Sequence, residues 1–163
     1  MEKTDEFDIV LALRPHGWSS FYFLIRGNTY ELVISHIFSE PYIDLINVLA
    51  LLIKGEFETE VIWYGEPGGH KINFNRSKER QHEIQISVTF FADSYGRTPA
   101  KFEEILAFET IFEQFVINSY AQLKKIYLLM QTKQYSKGRE NEFPIGEYQA
   151  FEKLLKAQFS KIF

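Results

Sequence analysis

Four histidines, His16, His36, His70 and His82, are the only imidazoles in the chain, and with no cysteine present they are its only nitrogen or sulfur side chains suited to zinc. A β-hairpin over residues 57–75, followed by another strand, would set His70 near Ile86 and His82 near Phe74, about four residues or roughly 13 Å apart. One ion cannot bridge that span. Both histidines also fall in phase with apolar neighbours, as partly buried imidazoles do, so neither a metal site nor a cofactor is expected.

Acid–base hydrolysis needs paired carboxylates, or a nucleophile with its base. The nearest candidates are Glu58, Glu60 and Glu66. Glu58 and Glu60 alternate onto the solvent side of a strand while Glu66 sits in a turn, so no catalytic pairing is expected. The sequence has no G-x-S-x-G, H-E-x-x-H, Walker or G-x-G-x-x-G motif. A different chemistry is open to the turn Gly65–Gly69, whose backbone amides could receive an anion or a partner's side chain. Turn geometry alone also accounts for it, because Pro67 and Gly68 suit the central positions of a type II turn. The residues named for contact with a partner or ligand are Tyr64, Glu66, Gly68, Gly69 and His70.

The elements that would position these residues can be read from periodicity. Phe7, Ile9, Leu11 and Leu13 alternate before the turn cluster Arg14-Pro15-His16-Gly17, and Phe21, Phe23 and Ile25 alternate in the next run. A Gly27-Asn28 turn would place Ile25 opposite Tyr30, Phe23 opposite Leu32 and Phe21 opposite Ile34. Strand one then joins with Leu11 opposite Phe21 and Ile9 opposite Phe23. Ser39-Glu40-Pro41 reads as a helix start with Ser39 as cap, and the run from Ile43 to Ile53 is so apolar that its helix must be mostly buried.

In the central hairpin, a Glu66–Gly69 loop pairs Trp63 with Ile72 and Val61 with Phe74. A turn at Arg76–Arg80 leads to a strand with His82, Ile84, Ile86, Val88 and Phe90 on one face. A connection from Asp93 to Pro99 precedes a last short strand near Phe102–Phe108. Thr110 and Glu113 have the spacing of a capping box for a helix from Ile111 to Gln134. That helix has an apolar face through Phe112, Phe115, Val116, Ser119, Leu123, Ile126, Tyr127 and Met130, with Lys124 and Lys125 pointing elsewhere. After the polar segment Lys133–Asn141, Phe143-Pro144 introduces a final amphipathic helix from about Gly146 to Phe159. The fold class is α+β: a mainly antiparallel sheet of six or seven strands in meander-like hairpins, one buried helix after strand three, and two C-terminal helices on the sheet.

The chain has 163 residues, 45% of them hydrophobic, which suits one domain over 1–163. A net charge of −4 supplies no overall positive field for phosphates, so nucleic acid is not an expected partner. The N-terminus lacks the basic and apolar regions of a secretory signal, and a cytoplasmic location is expected. The apolar run Ile43–Ile53 would span roughly 16 Å as a helix against about 30 Å of hydrocarbon, so no membrane span is expected.

Gly17-Trp18 at a strand start, the apolar helix after Ser39, the turn Trp63-Tyr64-Gly65-Glu66-Pro67-Gly68, and Phe143-Pro144 before a helix together resemble a family of short, uncharacterised bacterial proteins. In similar sequences the Glu-Pro-Gly turn is often followed by another acidic residue and an aromatic, where this chain has Gly69-His70. The resemblance covers most of the chain and implies no established activity.

Function is therefore expected to lie in protein–protein interaction without catalysis, with a partner or a second copy. One concrete form is an immunity- or antitoxin-like role in which an acidic domain blocks a basic partner. Ile62, Tyr64 and Phe91, on the face away from Trp63 and Phe90, would form a partner-facing patch if no helix covers them. The alternative is a small-molecule binding protein or enzyme with a pocket between the sheet and the first helix, and Trp18, Tyr22, Trp63 or His70 at its mouth.

Overall fold

Two apolar strand faces close on each other in a computed structural model that describes residues 1–93, 98–99 and 101–163. The first sheet is β2 (Phe7–Arg14), β3 (Trp18–Ile25) and β4 (Asn28–Ser35), all antiparallel. The second has five strands in the order β1 (Glu2–Lys3), β8 (Glu103–Ile111), β7 (Glu83–Phe91), β6 (Gly69–Asn75) and β5 (Glu58–Tyr64), with β1 parallel to β8 and the rest antiparallel. The helices are α1 (Pro41–Ile53), α2 (Phe112–Met130), the single turn α3 (Lys133–Ser136) and α4 (Ile145–Gln158).

The class is α+β as expected, but the one sheet of the sequence reading is two. The inner rows of the strands account for this. Phe21 meets Trp63 edge-on with ring centroids 4.4 Å apart, and Phe108 lies 5.1 Å from Phe7 and 6.4 Å from Phe23. Each sheet is thus covered by the other, a role the sequence reading gave to helices alone. α2 packs on β2, while α1 contacts β5 and α4. The two-residue strand β1 went unseen because Glu2-Lys3 carries no apolar alternation.

Several local details differ for identifiable reasons. The β2–β3 pairs Leu11 with Phe21 and Ile9 with Phe23 are as expected. The β3–β4 turn uses Arg26-Gly27, both left-handed, which frees Asn28 to pair with Ile25 and sets Phe21 opposite Leu32 and Phe23 opposite Tyr30. The shift is by two residues, so every side chain keeps its face. In the β5–β6 hairpin the loop is Gly65–Gly68, closed by a Gly65 N–H to Gly68 O bond of 2.8 Å, and Trp63 faces His70 and Val61 faces Ile72. The Glu66–Pro67 peptide is cis, which puts proline third in the turn and replaces the type II geometry.

The β6–β7 connection outgrows Arg76–Arg80 because Arg76 is drawn inward. Its guanidinium donates to Leu52 O at 2.9 Å and lies 3.7 Å from the Phe112 ring centre. Asn75 therefore faces Gln85, and His82 is left outside the ladder with its side chain 73% exposed, not half-buried. Thr110 does not cap α2, since β8 runs on to Ile111 and Thr110 is fully buried opposite Ile84. α2 stops at Met130, and the expected polar loop contains α3. Of the expected connection Asp93–Pro99, residues 94–97 lie outside the described residues.

A polar stripe on α2 serves the open edge of β2. Gln114 and Asn118 donate to Phe7 O at 3.2 and 3.1 Å, Gln122 Oε1 accepts from Leu11 N–H at 3.1 Å, and Lys125 donates to Leu11 O at 2.9 Å. These side chains replace a missing strand, and Lys125, expected to point away, is one of them. Burial pulls the Lys125 pKa down. Gln122→Leu should then cost about 1–3 kcal/mol in urea unfolding, because it strands the Leu11 amide and removes an acceptor from Lys125. A loss under about 0.5 kcal/mol would show that the stripe does not hold the edge.

Candidate functional site

Ser19 in β3, His36 just after β4, Tyr42 in α1 and Glu142 ahead of α4 meet in a single hydrogen-bonded chain. His36 Nε2 lies 2.7 Å from Ser19 Oγ, Ser19 Oγ lies 2.9 Å from the Tyr42 hydroxyl, and His36 Nδ1 bonds Glu142 Oε2. One placement of protons satisfies all four groups: Tyr42 donates to Ser19, Ser19 donates to His36 Nε2, and His36 Nδ1–H donates to the Glu142 carboxylate. Backbone bonds bring these residues together. His36 N–H donates to Gly17 O at 2.9 Å and Glu142 N–H to Arg139 O at 3.1 Å. Gly17 and Asn141 take the left-handed backbone that each of these turns needs.

The order serine, histidine, carboxylate is that of a hydrolytic triad. Its geometry excludes that use, because Ser19 is completely buried and the Tyr42 side chain, 1% exposed, is bonded to the same oxygen. No substrate carbonyl can reach Ser19 Oγ. Burial also pushes the Tyr42 phenol up, so it stays a proton donor. What the chain does is fix the backbone at His36, whose side chain is 8% exposed. Sequence reading considered His36 only as a metal ligand. Ser19 and Glu142 gave no signal, being 17 and 106 residues away from it.

The next two residues, Ile37 and Phe38, are 71% and 64% exposed. Beyond them the loop is held again, since Ser39 Oγ accepts from Tyr64 N–H at 2.8 Å and is thereby lost as a cap for α1. The Phe38 ring lies 6.4 Å from Tyr64, which lies 5.7 Å from Phe91, which lies 5.8 Å from Phe102. Tyr64 and Phe102 pack on Phe91, which is 1% exposed. At the two ends of the loop a groove of about 290 Å³ is lined by His36, Ser39, Glu40, Tyr42, Glu142 and Glu147, among others.

The five expected contact residues share the β5–β6 tip but not one face. Tyr64 belongs to the aromatic row beside Phe38. His70 packs against Phe90, ring centroids 5.5 Å apart, and with Trp18, Val33, Glu66 and Pro67 borders a separate open groove of about 360 Å³. Gly68 and Gly69 are there for space. Of the residues expected at a pocket mouth, Trp18 and His70 share that groove, Trp63 is core at 1% exposure, and Tyr22 donates to Glu31 at 3.0 Å. Glu60 pairs with Lys71 at 2.8 Å. Among the described residues, no group of three or more His, Asp or Glu side chains is placed to hold a metal ion.

Burial lowers the His70 pKa to about 4, and its Nδ1 is buried with no hydrogen-bond partner among the described residues. The unfolded chain, with an ordinary imidazole near 6.5, binds the proton first as pH falls. Stability should therefore decline from about pH 6.5 down to about 4, by up to about 3 kcal/mol. His70→Phe keeps a ring against Phe90 and cannot protonate. Its urea midpoint should vary less between pH 7 and 4.5 than the wild type's, and an equal slope in both proteins would refute the assignment.

No protein-family model, no curated protein and no solved structure matched this chain. Among the described residues, no helix is long and apolar enough to cross a membrane.

Proposed function

We propose that this chain is a non-catalytic interaction module that engages a partner protein through Ile37 and Phe38. The supporting observation is that these two large apolar side chains stand in solvent on a loop pinned on both sides, at His36 by Ser19 and Glu142 and at Ser39 by the Tyr64 amide. An unconstrained loop would have to be ordered on binding, at a cost in conformational entropy. A pinned one presents them with its ordering cost already met, which is how interface anchors gain affinity. Tyr64 and Phe102 extend the apolar surface on one side.

The pocket alternative finds less support. Tyr42, Leu45, Leu49 and Leu52 are at most 1% exposed and fill the inward face of α1. A photo-crosslinking residue in place of Phe38, expressed in the protein's native cells, tests the proposal. It should yield one dominant protein adduct that the same residue at Asn73, on the far part of the second sheet, does not give. Equal labelling from both positions would overturn the reading.

A further inference from the structure

We infer that an extended segment of a partner protein, with polar and apolar residues alternating, enters the cleft beside β4 and pairs with it as an added strand. The tight Arg26-Gly27 turn makes Ile25 and Asn28 a hydrogen-bonded pair, so Asn28, Tyr30 and Leu32 are the residues of β4 that bond to β3. Thr29, Glu31 and Val33 turn their backbone N–H and C=O groups the other way. Among the described residues these groups have no partner, since β4 pairs with β3 alone.

The opposite edge of the same sheet shows what such groups require. There α2 bonds the Phe7 and Leu11 backbone of β2 through Gln114, Asn118, Gln122 and Lys125. Beside β4 lies a cleft instead. Opposite Asn28 and Tyr30 it is walled by Glu104 to Phe108 of β8, a second strand edge that β1 pairs only from Phe108 onward. Opposite Glu31 and Val33 it is walled by Gly69, His70 and Phe90. These two stretches measure about 260 and 360 Å³, and the β5–β6 tip ends the second, where a Cβ on Gly65 would lie 3.4 Å from Val33 O.

This shape selects the occupant. The edge of another folded sheet needs a flat rim to approach, and a compact ligand would leave most of the spaced backbone groups unpaired. A single extended backbone fits between two strand edges and meets donors and acceptors that recur at every second residue. Its residues that bond to β4 lie beside the exposed Thr29 and Glu31 and are polar, whereas the alternate ones turn toward Leu106, Phe90 and His70 and are apolar. The contact is separate from Ile37 and Phe38, so either can fail alone.

The test is an amide-resolved NMR titration of the ¹⁵N-labelled full chain with a synthetic peptide of about seven residues that alternates threonine with valine. Saturable shifts should centre on Thr29 to Val33 and Leu106. The amides of Thr29, Glu31 and Val33, which exchange freely with deuterium in the peptide-free chain, should be protected at least about tenfold. N-methylation of the threonines removes the donors aimed at β4 and should cost at least about tenfold in affinity, whereas N-methylation of the valines, whose N–H groups point away, should change it by less than about twofold. Thr29→Pro removes an outward N–H that the β3–β4 ladder does not use, and should weaken binding at least about tenfold with remote resonances unchanged.

Equal losses from the two methylated peptides, protection at Glu60 and Ile62 of β5 instead, or no saturable binding would overturn the proposal. Protection of Glu31 that rises with protein concentration in the absence of peptide would also overturn it, by placing a second copy in the cleft.

Discussion

Gly69→Ala should destabilise the protein by about 3–5 kcal/mol, enough to leave much of the chain unfolded at 37 °C. A Cβ at position 69 would sit 2.3 Å from Trp63 O, 2.7 Å from Phe91 Cζ and 2.9 Å from Tyr64 Cα. Gly69 opens β6 between β5 and β7, paired at once with Tyr64 and Phe91, so two backbones and a buried ring converge on the space a methyl group would fill. Phe91 can be 1% exposed on the outward face because its ring lies over this glycine. Gly68→Ala should be of similar severity. Gly68 has φ +76° and its added Cβ would meet Phe91 O at 2.3 Å, combining a disfavoured backbone with a clash. Chemical unfolding of both variants, with Gly27→Ala as a control whose Cβ meets nothing within 4 Å, separates the two costs. A Gly69→Ala loss no larger than that of Gly27→Ala would contradict the packing.

Trp63→Ala should cost about 3–5 kcal/mol. The indole is 1% exposed and joins three elements: it is edge-on to Phe21 across the sheets at 4.4 Å, and its Nε1–H donates to Asp44 of α1 at 3.1 Å. Truncation opens a cavity between the sheets and leaves the Asp44 carboxyl, whose pKa burial already raises, without its buried donor. Trp63→Phe keeps most of the ring and loses only the hydrogen bond, and should cost about 1–2 kcal/mol. If the two variants were equally destabilised in urea, the hydrogen bond to Asp44 rather than the packing would be dominant.

The strands and helices were legible because their apolar residues repeat with period two or with helical spacing, from Phe7 to Leu13 and from Phe112 to Ile126. Registers were less so. A turn that moves by one residue, as at Arg26-Gly27, changes every pair without disturbing the face pattern that was read. The split into two sheets was hidden for a related reason: an apolar strand face looks the same whether a helix or another sheet covers it. Polar side chains whose partners lie far away in sequence were the least legible. Ser19, His36 and Glu142 meet only through the tertiary fold, as do Gln122 and the Leu11 amide, and Thr110 resembled a cap because its burial could not be read from spacing. Tyr64, half-buried, lies on the face away from Trp63 that the alternation implied. Its neighbour Phe38, and Ile37 beside it, lie in a short segment without periodicity and gave no signal.

On the proposed reading, Ile37 and Phe38 form the contact on which this protein's function depends. Quantitative affinity capture from native cells, comparing wild type with Ile37→Asp/Phe38→Asp at matched thermal stability, tests it most directly. A specific partner should be enriched at least about tenfold on wild type over the variant, a loss of about 1.4 kcal/mol or more. A partner retained equally by both proteins would contradict it.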